Sequence, residues 1–179
     1  MGSVRAKRAS SPQRLRFVVV TVSTSKHRRK SRNEDVDDES GDVAEAVVKR
    51  SGHDVVHRIL VSDDPSMLRP RVEKFLSSRN NAILFVGGTG VSPDDLTIET
   101  IRPYIGKELE GFGELFRMLS YEKIGPPAIL TRALAGVSNG KLVACLPGSP
   151  DAVKTALEHF FPQFCDLFLV EAGKSSAMR

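Results

Sequence analysis

The chain has 179 residues, 40% hydrophobic and 27% charged, with a net charge of +4. That is enough for one globular domain with a sizeable core, and no apolar run approaches the ~20 residues that span a bilayer, so no membrane partner is expected. The positive charge is uneven: residues 1–16 hold Arg5, Lys7, Arg8, Arg14 and Arg16 and no acid, which leaves the rest close to neutral and gives nucleic-acid binding little support.

The opening MGSVRAKRASSPQRLR lacks the apolar segment of a secretory leader. Residues 1–14 are expected to be a disordered basic tail, 15–171 one domain, and 172–179 a frayed tail. The two cysteines, Cys145 and Cys165, have no metal-ligand spacing and suggest no disulfide framework, so a reducing, cytoplasmic setting is expected. Cys145, in LVACL, reads as a buried small hydrophobe.

RFVVVTVS is β-branched and continuous, and predicts a parallel strand covered on both faces. The polar stretch TSKHRRKSRNEDVDDESGD follows, basic in its first half and acidic in its second. It is either disordered or functional. A helix is predicted over 42–50, with Val43, Ala44, Val47 and Val48 on one face and Gly52 as its stop. HDVVHRILV predicts a second strand. Leu68, Val72, Phe75 and Leu76 then recur at helical spacing, and Pro70 should kink that helix or mark its start. AILFV predicts a third buried strand.

TIETIRPYIG predicts a short helix with Thr97 as its cap. GFGELFRMLSYEKIG reads as a glycine loop, a helix and a turn, and PPAILTRAL looks helical. AGVSNGKLVACL reads as a hairpin bending at VSNG. PGSPDAVKTALEHFF starts a helix, with Ser149 as N-cap, Pro150 at N1 and Asp151 in the first turn. Ala152, Val153, Ala156, Leu157 and Phe160 form its apolar face. The alternation predicts an α/β sandwich with a mostly parallel sheet. Ligands of such folds bind beyond the carboxyl ends of the strands, where TVSTSK, FVGGTG and LPGSP fall.

In FVGGTGVSPDD, Gly87, Gly88 and Gly90 can turn the chain tightly or present amides to a phosphate. The run is neither a P-loop nor G-x-G-x-x-G. Asp94 and Asp95 follow it, and Asp63 and Asp64 follow the second strand. Carboxylates beside a phosphate site need a cation between them, and Mg²⁺ is commonly held by one or two carboxylates plus substrate phosphates. The competing reading is that these aspartates cap helices, and Asp64 before Pro65 suits a cap well. LPGSPDAV carries the same two readings, anion site or cap.

DESG, VSDD, GGTGVSPDD, GFGELFR, SYEKIGPPAILTRALAGV and LPGSPDAV occur in this order and spacing. With them the chain resembles the MoaB/MogA family of molybdenum cofactor biosynthesis proteins, nearest its MoaB branch, over residues 15–170. The resemblance implies a three-layer α/β/α molybdopterin-binding fold and a homotrimer, with pairing into a hexamer as an alternative. It implies molybdopterin and ATP as substrates, Mg²⁺ delivered with ATP, no permanently bound cofactor, and a downstream metal-insertion protein as partner. The implied reaction is transfer of AMP to the terminal phosphate of molybdopterin, with pyrophosphate released. A catalytically inactive carrier or regulatory protein of the same fold is the alternative.

Carried over by motif, Asp63 and Asp95 are the catalytic and Mg²⁺-binding carboxylates. Gly87, Gly88, Thr89, Gly90, Gly148, Ser149, Ser40 and Gly41 are the substrate and phosphate contacts. Asp38, of the D-x-S-G motif, is a further candidate. The chain departs from the family in three places. STSK stands where many members carry Ser-Asp, Asp94 stands where an arginine is usual, and Lys141 falls near a position where some members place a hydroxyl. Asp94 and Lys141 are further candidate phosphate contacts at these departures. Tyr121, Glu122 and Arg132 are family markers, either lining the pterin pocket or joining subunits, and Arg132 can fork a carboxylate or phosphate. KHRRKSR can fold over ATP phosphates or pair with EDVDDE beside it.

Overall fold

The computed structural model of the protein describes residues 14–160. Residues 1–13 of the expected N-terminal tail, the expected C-terminal tail, Cys165 and the domain's last residues lie outside the described ones, while Arg14 is described and pairs with Asp54 at 3.4 Å. In chain order the elements are β1 (Arg16–Val22), α1 (Thr24–Ser31), α2 (Glu39–Arg50), β2 (Asp54–Val61), α3 (Pro65–Ser77), β3 (Ala82–Val86), α4 (Thr97–Ile101), β4 (Lys107–Glu108), α5 (Glu110–Ile124), β5 (Leu134–Ser138), β6 (Lys141–Leu146) and α6 (Pro150–His159). Short 3₁₀ turns follow α4 at Arg102–Tyr104 and α5 at Pro126–Leu130.

The sheet has six strands in the order β2-β1-β3-β6-β5-β4. Strands β2, β1, β3 and β6 run parallel, while β5 and β4 are antiparallel additions. The parallel strands are apolar because both faces are covered. Phe17, Val19, Leu84, Val86, Leu142 and Leu146 point into a core with α2, α5 and α6. Val18, Val20, Ile83, Phe85, Val143 and Cys145 point to the other face, against α3 and α4. This is the predicted three-layer sandwich. Each fully buried Leu or Phe, such as Leu84 and Phe85, contributes roughly 2–3 kcal/mol. Among the described residues no helix is long and apolar enough to cross a membrane.

Local signals set most element ends. Asn139 and Gly140 both take positive φ, 49° and 70°, and Ser138 pairs with Lys141, the two-residue bend that Asn-Gly favours. Ser149 accepts from the Ala152 N–H and caps α6. Asp64 accepts from the Ser66 N–H and caps α3, with Pro65 in the first turn; the Ser66 hydrogen bonds hold the Asp64 carboxyl below its ordinary range.

Several elements differ from expectation. The basic half of the polar stretch is a helix, α1, although none of its residues is buried. Ser23 caps it, and Arg28, Arg29 and Lys30 complement its dipole. Helix α2 begins at Glu39, a turn earlier than its apolar face suggests, because Asp38 caps it from outside. Pro70 lies inside α3; the carbonyl it leaves unpaired belongs to Ser66, which is exposed to water. Thr97 is the first residue of α4 and its hydroxyl caps no helix amide; Leu96 holds the cap position. Gly111 and Gly113 are inside α5, and at Gly113 a side chain would meet the Ala133 carbonyl at 3.1 Å. Only PPAIL of the helical-looking PPAILTRAL forms a turn, since Leu134 already belongs to β5.

Candidate functional site

The parallel strands β1, β2, β3 and β6 end on the same side, and four connections converge there. The connections from β1 to β2 and from β2 to β3 pass over opposite faces, so the order reverses between β1 and β3, where open α/β sheets bind ligands. The Gly87 N–H donates to the Leu146 carbonyl at 2.9 Å. The Ser23 N–H donates to the Val61 carbonyl at 2.9 Å, and the Asp63 N–H donates to the Thr24 hydroxyl at 3.2 Å.

Gly87 and Gly88 have φ of 110° and 63°. A Cβ on Gly87 would lie 2.2 Å from the Val22 carbonyl oxygen, and one on Gly88 2.0 Å from Asp63 Oδ2. On Gly90 it would lie 2.6 Å from Asp95 Oδ2, and on Gly148 3.2 Å from Gly87 Cα. These bare positions let the strand ends and carboxylates close on one another, the tight-turn reading of the motif. Thr89 is buried within the turn.

Asp63 is half-buried at the end of β2. Its Oδ2 accepts from the Leu96 N–H and its Oδ1 from the Thr97 hydroxyl, both at 3.1 Å. Burial pushes its carboxyl above the ordinary aspartate range; those two hydrogen bonds oppose the shift, and the charges of Asp95 and Glu99 add to it. Asp95 accepts from the Ser92 N–H at 3.0 Å, folding back over its own loop. Asp94 is exposed. Thus Asp63, Asp95, Gly87, Gly88, Thr89 and Gly90 come together, and Gly148 and Ser149 sit beside them.

Asp38, Ser40 and Gly41 join this cluster from α2. The Ser40 hydroxyl donates to the Gly148 carbonyl at 2.5 Å, across 108 positions. Asp38 is engaged on every side: it accepts from the Thr21 hydroxyl at 2.9 Å, the Gly41 N–H at 3.2 Å and the Arg58 guanidinium at 2.8 Å. Arg132 braces the glycine loop, donating to the Gly90 carbonyl at 2.9 Å and pairing with Glu99. Burial opposes the Glu99 charge, but Arg132 outweighs it and the carboxyl is lowered.

Lys141 is the exception. It begins β6, at the opposite end of the sheet, and donates to the Ser78 and Asn80 carbonyls at 2.6 and 2.7 Å. Its place in a parallel strand puts it a sheet's length from the glycines, so the expected phosphate contact is corrected to a backbone brace. Of KHRRKSR, Arg29 is the residue that meets the acidic run beside it, pairing with Glu34 at 3.0 Å and donating to the Asp35 carbonyl at 2.9 Å. Thr24 and Arg58 escaped the sequence reading, and Thr97, expected as a helix cap, holds Asp63 instead. For Arg58 a signal existed, a charge inside the apolar strand HDVVHRILV.

Fold and cluster together define a doubly wound α/β protein with a carboxylate-and-glycine site over the switch point of its sheet. Residues 18–165 match the family model described as a probable molybdopterin binding domain. The chain is 38% identical over 145 residues to the probable molybdopterin adenylyltransferase of Methanocaldococcus jannaschii, covering 80% of this chain and 86% of that protein. It is 43% identical over 126 residues to molybdenum cofactor biosynthesis protein B of Staphylococcus epidermidis, covering 68% and 72%. Among solved structures, a molybdenum cofactor biosynthesis protein B superposes with a TM-score of 0.83 at 32% identity, over 92% of this chain and 99% of that one. The tungsten cofactor synthesizing protein MoaB from Pyrococcus furiosus gives 0.74 at 33% identity, over 94% and 100%. The chain belongs to the MoaB/MogA family of molybdenum cofactor biosynthesis proteins.

Proposed function

We propose that this protein is a molybdopterin adenylyltransferase that uses Mg-ATP. The observation that carries the reading is Asp63, a carboxylate kept half-buried beside Asp95 and the glycine loop although burial raises its pKa. A charge held against its own solvation is a mark of a functional site. In the reaction a terminal phosphate oxygen of molybdopterin forms a bond to the α-phosphorus of ATP. The bond from that phosphorus to the bridging oxygen breaks, and pyrophosphate leaves with the electron pair. Nothing is oxidised or reduced.

Two anions must meet, so the protein's work is positioning and charge neutralisation. Asp63 and Asp95 are the two carboxylates that would hold an Mg²⁺ brought by ATP, one or two carboxylates with substrate phosphates being a usual set for that ion, and the ion would supply neutralisation of phosphate charge. The amides of the glycine loop and the N-terminus of α6 hold phosphate oxygens without reorganising. Ser40 sets the Gly148 loop against the glycines. A molybdopterin carrier without transfer is the second reading, favoured by one observation: Asp94, where relatives of this kind usually carry a cationic arginine, is an exposed carboxylate.

The test is to incubate the protein with molybdopterin, ATP and Mg²⁺ and look for adenylyl-molybdopterin by mass. Product is expected, with a loss of about 10²-fold or more in Asp95→Ala. Bound molybdopterin without product would establish the carrier reading.

Self-association is part of the same proposal. Met118, Tyr121, Ile124, Ile129 and Leu130 are exposed along α5 and the turn after it, Ile129 at 83%. They flank a groove of about 500 Å³ lined by Arg117, Met118, Tyr121, Pro126, Ala128 and Ile129. Such an apolar face on a soluble enzyme marks contact with another chain, and a second copy is the occupant the family resemblance implies. Tyr121 and Glu122 then belong to the subunit contact. Sedimentation should give a trimer or hexamer for the native protein and smaller species for Ile129→Glu. A native monomer would overturn this part.

A further inference from the structure

Arg58 interrupts the apolar run of β2, opposite Val19 of β1. Its guanidinium has five N–H groups, and all five are used. Nε donates to Asp38 Oδ2 at 3.2 Å, and Nη2 to Asp38 Oδ2 at 2.8 Å and the Asp38 carbonyl at 2.9 Å. Nη1 donates to Asp42 Oδ1 at 2.5 Å and Glu45 Oε2 at 3.2 Å.

The consequences run toward the site. Asp38, gripped by Arg58, caps α2 through the Gly41 N–H and ties it to Thr21 at the end of β1. Two residues after Asp38, Ser40 donates to the Gly148 carbonyl, and Gly148 packs against Gly87. A Cβ on Gly41 would lie 2.2 Å from Asp38 Oδ2 and 2.7 Å from Arg58 Nη2. The glycine of D-x-S-G is bare to admit the Asp38–Arg58 pair. The motif and the arginine 17 positions after Gly41 are one device (58 − 41).

We infer that Arg58 is a positioning residue: it fixes the N-terminus of α2 so that Ser40 holds the 147–149 loop against the glycine loop, and thereby sets the pocket for the phosphorylated pterin. The pterin half of this inference rests on the transferase reading; the coupling of Arg58 to the loop does not.

Arg58→Lys is the test. Lysine keeps the charge but cannot fork Asp38 while reaching Asp42 and Glu45. Two readouts are taken on the full chain. Amide hydrogen exchange over 147–153 should quicken about 10-fold while 83–86 stays unchanged, since local opening is independent of the central strands. The KM for molybdopterin should rise about 10-fold, with kcat and the KM for ATP changed by less than about 2-fold, as displacement of a binding loop predicts. Unchanged exchange at 147–153 would overturn the coupling. A lower melting temperature with an unchanged KM would reduce Arg58 to a stabilising role and overturn the positioning claim. A native protein that makes no product would sink the transferase reading while the exchange result still decides the coupling. Where Arg58→Lys does not fold, Asp38→Asn, which weakens the same fork but leaves Arg58 with Asp42 and Glu45, is read in the same two ways.

Discussion

Asp63→Asn is expected to fold, to melt no lower than the native protein at pH 7, and to lose adenylyl transfer by about 10²-fold or more. The amide fits the existing bonds. Its oxygen can accept from the Leu96 N–H, and its nitrogen can donate to the Thr97 hydroxyl, which serves as donor or acceptor. What disappears is a charge that burial and the neighbouring Asp95 and Glu99 disfavour. Removing it relieves the folded state, and only the reaction needs it.

The pH dependence follows from the direction of the shift. Asp63 binds its proton more tightly folded than unfolded, so its contribution to stability is fullest in acid. That contribution is lost as pH rises from the ordinary aspartate range through the raised folded value. The melting advantage of Asp63→Asn over the native chain should therefore be largest near neutrality and shrink as pH falls through that window. Thermal melts of the two proteins across acid to neutral pH check this. An Asp63→Asn protein that melts lower at pH 7 would show that Asp63 is a structural cap rather than a functional charge.

Gly87→Ala should cost about 3–5 kcal/mol of stability, through both backbone strain and overlap. Its φ of 110° is one that residues with side chains rarely adopt, and the new methyl would sit 2.2 Å from the Val22 carbonyl oxygen. That oxygen belongs to β1, the strand at the centre of the parallel sheet, so the overlap has no flexible end to yield. Gly125→Ala is the control. Gly125 has a φ of 67° and a ψ of −146°, a region essentially confined to glycine, but nothing lies within 4 Å of the new methyl, so strain alone should cost about 1–3 kcal/mol. Urea midpoints at unchanged m-value measure both. Equal costs at the two positions would mean that close approach at Gly87 contributes nothing.

The sequence by itself determined the alternation of apolar strands and amphipathic helices, hence the layered parallel sheet. It determined the caps at Asp64 and Ser149, the Asn139-Gly140 bend and the family. It also picked out the loop where Asp63, Asp95 and the glycines gather. The alternation, the caps and the bend are written in bonds and periodicities within about four residues, so neighbours in the chain suffice to read them, while the family and its site residues are written in the order of motifs along residues 15–170.

The tertiary structure alone decided what fills the space beside Gly87, Gly88 and Gly90, and it filled it with the Val22 carbonyl and the Asp63 and Asp95 carboxylates. It sent Lys141 to the far end of the sheet, because a residue's end of a strand depends on strand direction and not on sequence distance to a motif. It joined Asp38 to Arg58 across 20 positions and Ser40 to Gly148 across 108. Those pairings depend on which strands lie side by side, and strand order is set by how whole faces pack, a choice no local pattern records.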